Sequence, residues 1–409
     1  MQQIFQHTLP NGMVLLAEHM AHVRSAALNV LIPAGCAHDP AGGRGMASVL
    51  SEMITRGAGE RSSRELSLAL DNLGLDRDES VGQLHMRFWA ATVATNIIPA
   101  LEIYADILRR PHLPEDELAP VQALALQDIQ ALEDDPRGKV MVELRRRYWP
   151  APLGNDRRGK PEDIEKFTAR KLRRFYESTF GPAHAILSVA GAIDWPRLKD
   201  EVERLFGDWE APTEKPIAVK PAKGGSGHIQ KETQQTQIAI AYPSVPFGQP
   251  EYYAANGAIQ VLSGGMGARL FTEVREKRGL CYAVSASYQT FKERACVLVY
   301  AGTTNERAQQ TLDVTLGELH RLKEGVTEEE VQRVRAGLKS SLIMQQESTS
   351  ARAGALANDF YFLNRVRSRD EIQQAIDGLT PGAIVDHVRR HPPRDLTIMT
   401  LGPKALKLG

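Results

Sequence analysis

The chain is written twice, and that duplication limits its folds more than any single motif does. Asn29-Val30-Leu31-Ile32-Pro33 recurs in pattern as Ala239-Ile240-Ala241-Tyr242-Pro243. Ser63-Arg64-Glu65-Leu66 through Leu73-Gly74 lines up with Ala268-Arg269-Leu270-Phe271 through Arg278-Gly279. Leu113-Pro114-Glu115-Asp116-Glu117 matches Val326-Thr327-Glu328-Glu329-Glu330. Ile164 to Thr168 echoes Ile376 to Thr380, and Ile186 to Gly191 echoes Thr397 to Gly402. The spacing between partners drifts only from 205 to 213 residues. A shared order with a slowly drifting offset marks an internal repeat. At 409 residues the chain has room for two cores rather than one.

Between the copies, residues 210 to 227 are rich in proline, lysine and glycine, the composition of a surface linker. The expected division is an N-terminal domain over 1–214, a linker over 215–227 and a C-terminal domain over 228–409. Within each copy the pattern is strand, helices, strand. Ala26 to Ile32 and Ile238 to Tyr242 are β-type runs, each followed by a proline that should stop it. Pro99 to Arg109, Glu115 to Leu132, Leu312 to Leu322 and Thr327 to Met344 carry apolar residues at helical spacing, the last opened by a Thr327/Glu330 capping box. Ala185 to Val189 and Leu396 to Leu401 read as closing strands. The expected class is α+β: two tandem homologous domains, each a mostly antiparallel sheet with helices on one face.

Charge narrows the partners. Lys+Arg and Asp+Glu both number 50, so no basic excess draws the chain to nucleic acid or anionic lipid. No apolar run reaches the roughly 18 residues of a membrane helix. The N-terminus lacks a basic n-region and an apolar h-region, so the cytoplasm is expected, and the periplasm only if a leader was removed. Cys36, Cys281 and Cys296 are too few and too scattered for a disulfide framework; buried thiols are expected. Trp89, Trp149, Trp195 and Trp209 are dispersed and read as packing residues.

The run Gly264-Gly265-Met266-Gly267-Ala268-Arg269-Leu270-Phe271, then Val274-Arg275-Glu276-Lys277-Arg278-Gly279-Leu280-Cys281-Tyr282, closely resembles the C-terminal signature of the pitrilysin/insulinase-type (M16) zinc peptidases. The resemblance implies two domains facing each other as a clam shell. It also implies His-x-x-Glu-His on a helix of the first half. Aligned on Gly45-Met46-Ala47, Ser48 stands in place of the first His, Ser51 in place of the general-base Glu and Glu52 in place of the second His. Counting back from the family's turn, here Glu133-Asp134-Asp135-Pro136, puts Ala119 at the third ligand. A peptidase zinc needs those ligands and a carboxylate base. No cofactor is therefore expected in this chain, with zinc on a partner subunit. His387 and His391 have i, i+4 spacing, and His19 and His22 sit at a hairpin turn, but neither pair has an obvious carboxylate partner in the sequence.

Arg275 and Tyr282 remain. The segment Thr272 to Lys277 should close a helix that Gly279 stops, and Cys281 to Ser287 should follow as a strand. A tight turn would let both side chains, each a hydrogen-bond donor, reach one peptide carbonyl and its developing oxyanion. In the resembled family this pair does that work across the cleft from the zinc. Taken alone, Arg275 reads as a solvated helix face and Tyr282 as half-buried packing. Gly264, Gly265 and Gly267 lack the Lys-Ser/Thr of a phosphate loop, and read as a substrate-binding or interface loop needing positive φ and close backbone approach.

Two functions follow. One is the non-zinc-binding subunit of a heterodimeric M16-type peptidase, inactive alone, which lends Arg275 and Tyr282 to a homologous subunit carrying His-x-x-Glu-His and grips an extended peptide by main-chain pairing. The other is an inactive scaffold subunit of a larger complex. Whether the chain forms a homodimer when its partner is absent stays open.

Overall fold

A computed structural model describes residues 2–210, 217 and 220–408. Residues 215, 216, 218 and 219 of the linker expected over 215–227 lie outside the described residues. Its described part before Gly227 has no regular secondary structure.

The first compact unit comprises Met1–Ala131, Asn155–Ala218 and Ile343–Val366. Its sheet contains β1 (Gln3–Thr8), β2 (Val14–His19), β3 (Ser25–Ile32), β4 (Asp76–Val81), β5 (Met86–Val93) and β6 (Ile186–Gly191), in the order β1-β2-β6-β3-β5-β4. Only β2 and β6 run parallel. The second unit comprises Leu132–Gly154, Val219–Leu342 and Arg367–Gly409. Its strands are β7 (Gly227–Gln230), β8 (Gln235–Ser244), β9 (Cys281–Thr290), β10 (Ala295–Thr304) and β11 (Thr397–Gly402), in the order β7-β11-β8-β10-β9, with only β7 and β11 parallel. Dropping β1, the two sheets share one order and one placement of the parallel pair. The duplication in the sequence is therefore a duplication of topology, and each unit is an α+β sandwich with a largely antiparallel sheet.

Each sheet buries one face under its main helical layer. In the first unit Leu15, Ala17, Leu28, Val30, Leu187 and Val189 share a core with the helices Met46–Met53 and Ile97–Arg109. In the second, Ile238, Ile240, Val297, Val299 and Ile398 do so with Tyr252–Ser263, Ala308–Arg321 and Pro381–Arg390. The opposite face of each sheet receives one further helix, and these two helices are traded between the copies. Thr349–Leu363, from the second copy, lays Ala353, Leu356 and Ala357 on Val14, Leu16, Ala27, Ile186 and Ala190 of the first sheet. The Ser188 hydroxyl donates to the Ala353 carbonyl at 2.7 Å. Arg352 donates to the Glu18 carboxylate at 2.6 and 2.8 Å, with both side chains almost fully buried. Pro136–Tyr148, from the first copy, packs on β8 and β11 of the second sheet, with the Arg137 guanidinium 4.6 Å over the Tyr300 ring. The division expected near residue 215 follows sequence order alone; the compact units each also hold one helix of the other copy. Cover on both faces explains why β6 and β11 are buried at all six positions.

The strand β3 ends at Ile32, before Pro33, as expected. Pro243 does not stop β8, which continues to Ser244. It lies beyond Ala241, the last residue paired with β11, where β8 has a neighbour on one side only and proline is tolerated. Thr327 and Glu330 form the expected capping box of Glu328–Gln346, through bonds of 2.9 and 3.2 Å. All three cysteines are free and buried, and burial pushes the Cys36 and Cys296 thiols up to about 12. Among the described residues, no helix is long and apolar enough to cross a membrane.

Candidate functional site

Arg275 lies on the short helical segment whose Phe271–Glu276 portion winds as a π-helix. Such wide turns are rare and recur at functional sites. The sequence suggests an ordinary helix end here, and nothing in the residue spacing signals the wider turn. Gly279, at φ 58°, ends the segment: its N–H donates to the Arg275 carbonyl and that of Leu280 to the Val274 carbonyl, both at 3.0 Å. The chain then enters β9, and Tyr282 is its second residue.

This turn brings the two side chains together. The Arg275 guanidinium sits 4.8 Å over the Phe271 ring and 5.2 Å over the Tyr282 ring. Tyr282 is 79% exposed, unusual for a large aromatic residue on a strand. The neighbouring cations are committed elsewhere. Arg269 forms a two-bond pair with Glu330, while Lys277 and Arg278 both reach Glu273. Among the described residues Arg275 has no acidic partner, and the Tyr282 hydroxyl has no hydrogen bond. The donors of this pair are therefore oriented by ring stacking and left open to a ligand. Among the described residues β9 is also the edge of its sheet, paired only with β10, so its other side offers main-chain groups to an added strand.

Gly264, Gly265 and Gly267 follow the helix Tyr252–Ser263 and line a pocket with Gln260, Glu330 and Arg333. Gly265 alone of the three has a positive φ, 141°. A Cβ on Gly264 would meet the Gln260 carbonyl at 2.5 Å, whereas one on Gly267 would find ordinary contact distances. Met266, between them, is 76% exposed, an apolar tip that the glycine pattern does not announce.

The residues that the sequence resemblance aligns with zinc positions do not form a peptidase zinc site. Ser48 and Ser51 lie on the helix Met46–Met53, where the Ser48 hydroxyl donates to the Arg157 carbonyl at 2.7 Å and that of Ser51 to the Ser48 carbonyl at 2.9 Å. Ala119, exposed on the helix Leu118–Glu133, has no donor atom. Glu52 is left as one exposed carboxylate, short of the three protein ligands a catalytic zinc needs. The helix lies against the edge strand β4, whose Glu79 carboxyl is pushed up by burial and by the charges of Asp78 and Glu52, against the pull of Arg77.

His387 and His391 do find a carboxylate, contrary to the sequence reading. It is Glu251, 136 residues earlier than His387, and no local pattern announces it. His19 is turned to the Ile193 carbonyl at 2.9 Å.

Residues 14–159 match the model of the insulinase family, peptidase family M16, and residues 166–338 that of the peptidase M16 inactive domain. The chain belongs to the M16 family. This M16 chain is 25% identical over 401 residues to an uncharacterized zinc protease of Rickettsia felis, covering 98% of this chain and 97% of that one. It is 26% identical to the uncharacterized zinc protease YmxG of Bacillus subtilis, with 98% of each covered. Among solved structures it is similar to a peptidase M16 inactive domain from Pseudomonas fluorescens, with a TM-score of 0.91, 20% identity and 99% of both chains covered. A protease from Helicobacter pylori gives the same TM-score and identity, with 98% of this chain and 100% of that one covered. At that identity the structural likeness speaks for the fold alone.

Proposed function

We propose that this chain is the non-zinc-binding subunit of a two-chain M16 peptidase. Arg275 and Tyr282 bind the carbonyl of an extended peptide and donate hydrogen bonds as negative charge develops on its oxygen. The hydrolytic zinc and the general base belong to a homologous subunit with an intact His-x-x-Glu-His. The observation that carries this reading is the state of Arg275: stacked on Phe271 and Tyr282 and, among the described residues, without an acidic partner, while Arg269, Lys277 and Arg278 each have one. An arginine kept only for solubility or stability has no need of that arrangement. The free edge of β9 beside the pair suits a peptide held by main-chain pairing. Gly264, Gly265 and Gly267 form the adjoining loop and are assigned to substrate approach.

The test is reconstitution. This chain is mixed with a homologue from the same genome that carries His-x-x-Glu-His, and cleavage of a peptide library is followed. Activity greater than the sum of the separate chains is expected. Activity of the partner that this chain leaves unchanged would favour the scaffold reading, which the vacated ligand positions accommodate equally well.

A further inference from the structure

Away from Arg275 and Tyr282, the second unit gathers two imidazoles and a carboxylate. The helix Pro381–Arg390 carries His387 on its buried side, and His391 stands at its C-terminal boundary, one turn on. Glu251 stands at the N-terminal boundary of the helix Tyr252–Ser263. The Oε2 atom of Glu251 lies 3.1 Å from His387 Nδ1 and 3.1 Å from His391 Nε2. All three candidate ligand atoms fall within 4.8 Å of one another. The other carboxylate oxygen, Oε1, is paired with Arg390.

We propose that Glu251, His387 and His391 form a binding site for a divalent transition metal ion of the zinc class, separate from the family's zinc positions. Two imidazoles and a carboxylate are a ligand set that zinc, nickel and copper accept. Zinc bonds of 2.0–2.2 Å in tetrahedral geometry put neighbouring ligand atoms about 3.3 Å apart, close to the two distances of 3.1 Å seen here. The division of labour on Glu251 also fits. One oxygen faces both imidazoles, and the other is held by Arg390, as ligating carboxylates are commonly oriented by a further hydrogen bond. The side chains of Glu251 and His391 are 28% and 39% exposed, which leaves an entry path and room for a water ligand. Lying between the end of one helix and the start of another, the ion pins the two together; its role is structural.

The full chain, stripped with a chelator, is titrated with Zn2+ by calorimetry, alongside His391→Ala, Glu251→Gln and Glu52→Gln. His391 is partly exposed, so its variant should fold. One equivalent is expected to bind the parent and Glu52→Gln alike and to raise Tm. Affinity should fall at least about 10-fold in His391→Ala and Glu251→Gln and drop as pH falls through the histidine range. Co2+ in place of Zn2+ should give visible absorption bands that His391→Ala lacks. No binding by the parent, or parental affinity in both His391→Ala and Glu251→Gln, would overturn the proposal. So would binding lost in Glu52→Gln and retained in His391→Ala, which would put the ion elsewhere.

Discussion

The two units use the same backbone device for different ends. In each, a helix ends at a glycine of left-handed conformation, Gly74 at φ 61° and Gly279 at φ 58°, and the chain passes into an edge strand, β4 or β9. Four residues before the glycine stands Leu70 in one copy and Arg275 in the other. Three residues after it stands Arg77 or Tyr282. Leu70 is 1% exposed and belongs to the core, and Arg77 reaches Asp71 at 3.6 Å. Arg275 and Tyr282 instead stack on each other, Arg275 half-buried and Tyr282 exposed. A duplicated scaffold thus keeps its topology while one copy uses the position for packing and the other leaves a stacked pair of donors without an acidic partner among the described residues. On the proposed function, the serines of the helix Met46–Met53 and the donors beside β9 are two sides of one asymmetry.

The largest effect expected of a single residue is kinetic. In a reconstituted pair, Tyr282→Phe removes one donor to the developing oxyanion and should lower kcat by about 100-fold or more. Next comes stability. Leu70→Ala should cost about 2–5 kcal/mol by leaving a core cavity, while Arg275→Ala, at the matching place, should change unfolding free energy by no more than about 0.5 kcal/mol. Denaturant titration of both variants separates the two uses of the position; similar losses would dissolve the contrast. The shared device should respond alike in both copies. Gly74→Ala and Gly279→Ala should each cost about 1–2 kcal/mol, because an L residue is strained in that conformation.

The smallest effect is on pH dependence, and it too should differ between units. Burial pushes the Asp39 carboxyl up to about 7, against the hydrogen bonds it accepts from Ala47 and Gly45. Asp39 therefore holds its proton in the folded chain after the unfolded chain has released it. Its contribution is present below the ordinary aspartate range and is lost as pH rises from about 4 to about 7. Glu330 behaves oppositely. Burial raises its carboxyl, but the bonds from Arg269 and Thr327 outweigh burial and hold it low, so its contribution is lost as pH falls below about 4. Unfolding measured against pH should flatten at its upper end in Asp39→Asn and at its lower end in Glu330→Gln.

Much of this was legible in the residues because it is local. The capping box of Thr327 and Glu330, the stop at Gly279 and the order of the repeats each rest on contacts between near neighbours or on a pattern repeated in order. What escaped depends on distant partners. Nothing within the helices Pro136–Tyr148 and Thr349–Leu363 says that they cover the sheet of the other copy. The lack of polar alternation in β6, broken only by Ser188, was a usable sign, since a strand covered on one face alternates and β6 does not. Glu251 meets His387 and His391 only through the packing of two helices. The π turn that carries Arg275 has no sign in the local spacing.

The most direct measurement is the cleavage rate of the mixed pair with three versions of this chain: the parent, Arg275→Ala and Arg77→Ala. The account predicts that Arg77→Ala stays within about twofold of the parent, while Arg275→Ala falls by about 100-fold or more in kcat/KM. Equal rates for the parent and Arg275→Ala, in a pair whose activity depends on this chain, would contradict it.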